Sequence, residues 1–118
     1  MKIRDIKEAL SLFENAAIEQ GKATYIGDHR KANRNYDKIR DVVSYLRKNV
    51  ALHELSIFYT HSNLSVRSWA ASYLLPIDEK RSLQVLKEIA NMEVFGSLDA
   101  KMTIKEWKNG NLKTFYTL

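Results

Sequence analysis

The sequence predicts an all-α fold of about six helices, and three observations lead to this prediction. Apolar residues recur at intervals of three and four along most of the 118 residues, which is the periodicity of an amphipathic helix. Capping or helix-breaking residues separate these stretches. Strand-forming residues are concentrated only in the tail from Leu112 to Leu118, which is too short to form a sheet alone. The composition, 45% hydrophobic and 28% charged, is typical of one compact domain over residues 1–118.

Two long helices are predicted over residues 1–48. The first ends near Gly21. The second follows the break at Gly27 and Asp28, takes Asp28 as its N-cap, and ends at about Arg47. The apolar stripe of the first helix consists of Ile3, Ile6, Leu10, Phe13 and Ala17. The stripe of the second helix consists of Ala32, Tyr36, Ile39, Val43 and Leu46.

Four shorter helices are predicted from residue 49 to residue 110. A polar turn, His61-Ser62-Asn63, follows the first of them, and Pro76 ends the second. Asp78 is expected to cap the third, and the last begins at about Ser97 and stops at Asn109-Gly110. The inward-facing residues of the four helices are, in order, Leu52, Leu55 and Phe58; Val66, Ala70, Tyr73 and Leu74; Leu83, Leu86, Ile89 and Ala90; and Ile104 and Trp107.

The two helices on either side of the polar turn resemble a HEAT repeat. The pattern is Leu52-x-x-Leu55, the turn, and then Val66-Arg67-x-x-Ala70-Ala71-x-x-Leu74. The small Ala70 and Ala71 would let the helices approach closely, and Arg67 is placed to reach the carbonyl groups of the turn. The resemblance predicts a right-handed α-α superhelix, a HEAT-like stack over residues 49–110. Because few repeats cannot bury a continuous core, the helices over 1–48 would cap the stack, and 111–118 would be a tail.

Motifs along most of the chain carry a wider resemblance. They are Phe13-x-x-Ala16-Ala17; Asn33 in the second helix; His61-Ser62-Asn63-x-x-Val66-Arg67-x-x-Ala70-Ala71; Leu83-x-x-Leu86-x-x-Ile89-Ala90; and Met102-Thr103-Ile104-x-x-Trp107-x-x-Gly110. In this order, over roughly Leu12 to Gly110, the chain resembles a small bacterial HEAT-like family catalogued as a domain of unknown function. The resemblance implies an all-α superhelical fold and no catalytic motif. Proteins of this kind resemble those encoded near polymorphic or contact-dependent toxins, where small helical proteins serve as immunity partners.

The residue types present argue against an enzyme. The chain has no cysteine, which excludes a disulfide scaffold, a thiolate zinc site and a catalytic thiol. His29, His53 and His61 lack the spacing of a zinc helix, and no phosphate-binding or nucleophile motif occurs. We therefore expect no metal, no cofactor and no small-molecule substrate. The N-terminal residues alternate charged and apolar side chains, unlike a signal peptide, and no stretch is long enough to cross a membrane, which predicts a cytoplasmic protein.

The positive charge is concentrated in one segment. The chain has a net charge of +5, and Gly21 to Lys48, with 8 basic and 3 acidic residues, accounts for all of it. On a helical wheel of the second helix, one polar face carries Arg30, Lys31, Arg34, Lys38 and Lys48 together with Asp37, Asp41 and Tyr45. One interpretation is a solvated face with ion pairs between Arg34 and Asp37 and between Lys38 and Asp41. The other is a docking strip, where Arg34 would bind a carboxylate or phosphate and Tyr45 would add apolar area.

Trp69 has two interpretations, and Trp107 has one. Trp69 lies at the edge of the apolar stripe of its helix, as a core-edge residue or as an anchor for a partner. Trp107 is expected to hold the last helix against its neighbours.

Two functions follow from these features. The first is a protein-binding module, most concretely an immunity protein that neutralises a cognate toxin by stoichiometric binding through Arg30, Lys31, Arg34, Lys38, Tyr45, Lys48 and Trp69. A basic toxin would be repelled, so the partner is acidic at this interface or meets a first-helix face with Glu8, Glu14 and Glu19. The alternative is nucleic-acid binding by the basic face, with five phosphate contacts and a log–log salt slope of about −4 to −5 on duplex DNA.

Overall fold

The computed structural model describes residues 2–116, apart from the side chain of residue 114. In this part of the chain there are six α-helices and one 3-10 helix, and no strand, so the all-α prediction is confirmed. The α-helices are α1 (Ile6–Ile26), α2 (His29–Lys48), α3 (Leu64–Leu74), α4 (Glu79–Ala90), α5 (Ser97–Lys108) and α6 (Lys113–Tyr116), and the 3-10 helix is Leu52–Thr60. The chain forms two compact units, the first up to Leu55 and the second from Ser56 onward.

The first unit is a hairpin of α1 and α2, which pack along their length. Asp5 caps α1 by accepting a hydrogen bond from the Glu8 N–H at 2.8 Å, so the predicted apolar residue Ile3 precedes the helix. Asp28 caps α2 as predicted, accepting from the Lys31 N–H at 3.1 Å. The two-residue turn between the helices makes them antiparallel. Their shared core contains the fully buried residues Phe13, Ala17, Ile39, Val42, Val43 and Leu46.

The predicted end of α1 near Gly21 is wrong, because the helix continues to Ile26. A glycine inside a helix costs only about 1 kcal/mol relative to alanine, and packing against α2 outweighs that cost. The helix ends instead at Gly27, whose φ of 79° is the left-handed conformation that glycine adopts without strain. The Asp28 N–H then donates to the Ala23 carbonyl oxygen at 2.8 Å and closes the turn.

The second unit contains α3 to α6, and its most extensive helix contacts are α4 with α5 and α3 with α4. Asn63 caps α3 by accepting from the Val66 N–H at 3.1 Å. The predicted reach of Arg67 is confirmed, since its Nε and Nη2 donate to the His61 carbonyl oxygen at 3.0 and 2.8 Å. Ala70 and Ala71 are fully buried on α3, as the close packing of α3 requires.

Two elements of this region differ in type from the sequence expectation. The helix carrying Leu52, Leu55 and Phe58 is a 3-10 helix, and a spacing of three fits its three residues per turn, so these side chains share one face. The strand-like tail forms the short helix α6 over Lys113–Tyr116, while 117 and 118 lie outside the described residues. The described residues contain no strand with which the tail could pair. The tail is held by side-chain packing instead, since the Phe115 ring stacks on the Tyr73 ring at 4.5 Å.

Asp78 occupies the N-cap position of α4 but makes no side-chain capping hydrogen bond. Its Oδ2 accepts from the Tyr59 hydroxyl at 2.9 Å instead, and Arg81 lies 3.6 Å from the same oxygen. Trp107 joins α5 to the first turn of α4, because its Nε1 donates to Glu79 Oε2 at 2.7 Å. None of the helices in the described residues is long and apolar enough to cross a membrane.

Candidate partner-binding surface

The face of α2 opposite its buried stripe carries a row of cations, here called the basic strip. It consists of Arg30, Arg34, Lys38 and Lys48, all exposed. The row extends over about 27 Å at 1.5 Å per residue, from the first turn of α2 to the last. Because Ile39, Val43 and Leu46 bury the other side of the helix, the strip cannot turn inward.

The ion pairs that would neutralise this face within α2 do not form. Within residues 2–116, neither Arg34 with Asp37 nor Lys38 with Asp41 comes into ion-pair distance, so the two predicted ion pairs are wrong, although the four side chains are exposed as a solvated face requires. The two aspartates are exposed beside the cations, so the four cations of the strip and the two aspartates together have a net charge of 4 minus 2, or +2. Its cations are therefore available to a ligand.

Lys31 has a different role from the rest of the predicted basic face. Its Nζ lies 3.3 Å from Glu19 Oε2 on α1, and both side chains are about 40% exposed. A pair this exposed contributes less than about 1 kcal/mol. It nevertheless links the two helices of the hairpin and removes Lys31 from the set of unpaired cations.

Two large apolar side chains lie at the α1–α2 turn, here called the hairpin tip. Tyr25 and Ile26 are 70% and 73% exposed, and they immediately precede Gly27 and the first turn of α2, where Arg30 begins the basic strip. The sequence interpretation missed them because it ended α1 near Gly21. The signal that could have found them is an aromatic and a β-branched residue directly before a Gly-Asp turn.

The other predicted binding residues lie elsewhere or are partly covered. Tyr45 is half-buried on α2, so it offers less apolar area than Tyr25. Trp69 belongs to the second unit, on α3, where its ring stacks on Tyr73 at 6.1 Å with an angle of 24° between the planes. Tyr73 also stacks on Phe115, so Trp69 belongs to an aromatic cluster of that unit. This arrangement places it at the edge of the core.

The acidic face of α1 is largely paired within the chain. Glu8 Oε2 accepts from Arg4 Nη2 at 2.8 Å, and this interaction raises the pKa of the Arg4 guanidinium. Glu19 lies 3.3 Å from Lys31 and 3.9 Å from Lys22. These contacts leave this face less able to bind a basic partner than the sequence suggested.

Tyr59, in the second unit, is a titratable group with a strongly raised pKa. Burial raises the pKa of Tyr59 to about 12, the hydrogen bond to Ser82 opposes this rise, and the hydrogen bond to Asp78 adds to it. Arg81 lies over its ring at 4.8 Å. The arrangement is a buried polar link between the 3-10 helix and α4. No group of three or more histidine and carboxylate residues that could hold a metal occurs within residues 2–116.

Comparisons with known proteins agree with this fold. The crystal structure of the protein RPA1889 from Rhodopseudomonas palustris CGA009 superposes with a TM-score of 0.86, covering 95% of this chain and 98% of that one at 20% identity. At this identity the likeness shows the fold alone. No curated protein matches the chain. A family profile matches residues 7–107, and the chain therefore belongs to the family described as a domain of unknown function (DUF2019).

Proposed function

We propose that this protein is a non-enzymatic binding module that binds an acidic protein partner through the α1–α2 hairpin. The observation that supports the proposal is the position of two exposed apolar side chains, Tyr25 and Ile26, at one end of a row of four unpaired cations. Protein interfaces concentrate binding energy in aromatic and arginine residues and surround them with charged groups. A surface for phosphates alone gains nothing from an exposed isoleucine.

The residues of the hairpin would have separate roles in binding. Tyr25 and Ile26 would enter an apolar depression of the partner, while Arg34 would form two hydrogen bonds to one carboxylate. Lys38 and Lys48 would mainly accelerate association with an acidic surface, because exposed charges act more on the association rate than on the lifetime of a complex.

The finer proposal is that the partner is a bacterial toxin, neutralised by formation of a one-to-one complex. Its support is the resemblance of the sequence motifs to helical immunity proteins of toxin systems. An acidic patch on the toxin, rather than its whole charge, is what the basic strip requires.

The experiment co-expresses the protein with the product of the neighbouring open reading frame and measures complex mass by size-exclusion chromatography with light scattering. We expect a one-to-one complex. We also expect that expression of this protein rescues a host whose growth the neighbour, expressed alone, inhibits. Failure both to co-purify and to rescue would refute the toxin proposal.

Variants then test the surface itself. Arg34→Glu with Lys38→Glu should weaken the complex at least about tenfold, through faster dissociation because the Arg34 hydrogen bonds are lost and through slower association because both charges are reversed. Tyr25→Ala should weaken it at least about fivefold, mainly through the dissociation rate. The matched control is Lys2→Glu with Lys7→Glu, which makes the same change of charge at exposed sites in the same unit. Equal effects of strip and control variants would refute a role for the basic strip.

A second candidate is nucleic-acid binding by the same strip, which the row of exposed, unpaired cations also favours. Four phosphate contacts, with Lys31 excluded, predict a log–log salt slope of about −3.6 on duplex DNA. Asp37 and Asp41 lie on the same face and would repel phosphates. A fluorescence-anisotropy titration of duplex DNA from low to high salt separates the candidates, and binding that is absent at low salt removes this one.

A further inference from the structure

A group of exposed apolar side chains lies on the second unit, in the α4–α5 loop and the first turns of α5. This group, here called the apolar patch, consists of Met92, Val94, Phe95, Leu98 and Met102, whose exposed fractions run from 40% to 71%. Leu98 and Met102 are one helical turn apart, and the fully buried Ala100 lies on the opposite side of α5. Exposed apolar side chains grouped in this way mark an interaction site in soluble proteins.

The loop that carries three residues of the patch is held by a buried side chain. The Ser97 hydroxyl donates to the Ile89 carbonyl oxygen at 2.7 Å and accepts from the Val94 N–H at 3.1 Å. Apolar side chains on a fixed loop are covered by a partner without the entropic cost of ordering that loop.

Charges of opposite sign border the apolar stripe of Leu98 and Met102 on its two edges. On a helical wheel of α5, the lysine edge consists of Lys101, Lys105 and Lys108, and the acidic edge of Asp99 and Glu106. Glu106 is half-buried and the other four are exposed. None of the five side chains forms an ion pair within residues 2–116. The outward face of α5 therefore consists of a cationic edge, an apolar stripe and an anionic edge.

A second copy of the chain complements this face when the two α5 helices pair in parallel. A two-fold axis along the helices places the lysine edge of each copy beside the acidic edge of the other, on both sides of the pair. In parallel helices that pack through an apolar stripe, a residue on one edge lies nearest the residue five positions later on the partner's opposite edge. Lys101 and Glu106 have this spacing, so symmetry would form their contact twice. An antiparallel pair would instead place lysine edge beside lysine edge.

Lys105 opposes this pairing in part. It lies between Leu98 and Lys101 on the wheel, close to the two-fold axis, where it approaches its own copy. Its ammonium group ends a flexible aliphatic stem, which can extend to the lysine edge and toward Glu106 of the second copy. The like charges therefore weaken the pair without preventing it. An apolar residue at this position would continue the stripe and strengthen the pair.

We propose that the apolar patch is a self-association surface, through which two copies of the chain form a parallel two-fold pair of α5 helices. Leu98 and Met102 lie at its centre, and Lys101 of each copy lies beside Glu106 of the other. A partner with charge of a single sign would match one edge of this face and be repelled by the other, whereas a second copy matches both. The surface lies in the second unit and leaves the α1–α2 hairpin as it is, so the proposal stands or fails separately from the function proposed above.

The test measures the mass of the full chain by analytical ultracentrifugation, from about 10 µM to about 1 mM. In about 0.15 M salt, charges more than about 8 Å apart are largely screened, so the measurement reports the contacts of the seam. The seam is short, and small interfaces form weak complexes. We expect a reversible monomer–dimer equilibrium with a Kd of about 100 µM.

A charge exchange tests the pairing of Lys101 with Glu106. Lys101→Glu and Glu106→Lys should each weaken the dimer at least about fivefold, because each places like charges together at two symmetric contacts. The double variant with both changes should restore the affinity of the wild type. Within one helix the two side chains lie on opposite edges and cannot contact each other, so the restoration can only come from a second copy. The matched controls, Lys80→Glu and Glu88→Lys, make the same changes at exposed sites on α4 and should leave the dimer unchanged.

Two further variants test the apolar stripe. Leu98→Asn removes an exposed apolar contact and should weaken the dimer at least about fivefold. Lys105→Leu continues the stripe, removes the like charges near the axis, and should tighten the dimer at least about fivefold. Lys80→Leu adds the same side chain at an exposed site on α4 and should have no effect.

Three outcomes would overturn the proposal. One is a chain that stays monomeric up to about 1 mM. Another is a dimer that neither Lys101→Glu nor Glu106→Lys weakens, which would place the contact on another surface or make the helices antiparallel. The third is a monomer that co-sediments with anionic phospholipid vesicles in a manner that depends on Leu98, which would make the patch a membrane contact.

Discussion

Arg67 provides the sharpest test of how the second unit is held together. Its guanidinium donates two hydrogen bonds to the His61 carbonyl oxygen, from Nε at 3.0 Å and from Nη2 at 2.8 Å. A hydrogen bond with one charged partner contributes about 1.5–3 kcal/mol. Because both bonds reach a single acceptor and the side chain is only half-buried, they do not add independently. We expect Arg67→Met, which keeps the aliphatic stem, to lower the free energy of unfolding by about 2 kcal/mol.

Urea unfolding followed by circular dichroism measures this change in the free energy of unfolding. In thermal unfolding, the same change corresponds to a fall in Tm of about 10 °C. Arg67→Lys should recover less than half of the loss, because one ammonium group cannot reproduce two donors in a planar fork. Arg34→Met is the matched control, since Arg34 is exposed and makes no ion pair within residues 2–116, and it should change stability by less than about 0.5 kcal/mol. If Arg67→Met were as stable as the wild type, or Arg67→Lys restored full stability, the paired hydrogen bonds would not support the turn.

Three further predictions concern the second unit. The folded-state pKa of Tyr59, about 12, exceeds the ordinary tyrosine value of about 10. The contribution of the neutral Tyr59 hydroxyl to stability is therefore complete below about pH 10 and is lost as the pH rises toward about 12. The urea concentration at the unfolding midpoint should fall over this interval, and it should fall less in Tyr59→Phe. Ala71→Leu forces extra volume into a fully buried position on α3 and should cost about 1–3 kcal/mol in the same unfolding assay, whereas no loss would mean that this contact is loose. Trp107→Phe removes the 2.7 Å hydrogen bond to Glu79 at a cost of up to about 1 kcal/mol, and a double-mutant cycle with Glu79→Ala showing no coupling would refute that link.

Much of the fold follows from interactions between residues close together in the chain. The spacing of apolar residues predicted α2, α3, α4 and α5 to within one or two residues, because helix periodicity and end signals such as Asn63 and Pro76 are local. The contact between Arg67 and the turn was also predictable, since the donor and acceptor are only six residues apart. Where the prediction failed, at Gly21 and in the aromatic tail, packing outweighed the local preference.

The candidate surfaces depended on information of another kind. The sequence placed five basic residues on one face of α2, but it could not show that Lys31 pairs with Glu19 while Arg34 and Lys38 leave the nearby aspartates unpaired. It could not show that Tyr25 and Ile26 are exposed, since tyrosine and isoleucine also occur in the core, as Tyr73 and Ile39 do.

The amino-acid sequence by itself therefore determined the helices, most of their ends and the concentration of positive charge on α2. Only the tertiary structure decided which apolar side chains remain exposed, as Tyr25 and Leu98 do, and which charges are paired. The physical reason is that helix formation depends on residues within a few turns of one another, whereas exposure and ion pairing depend on what the rest of the folded chain covers.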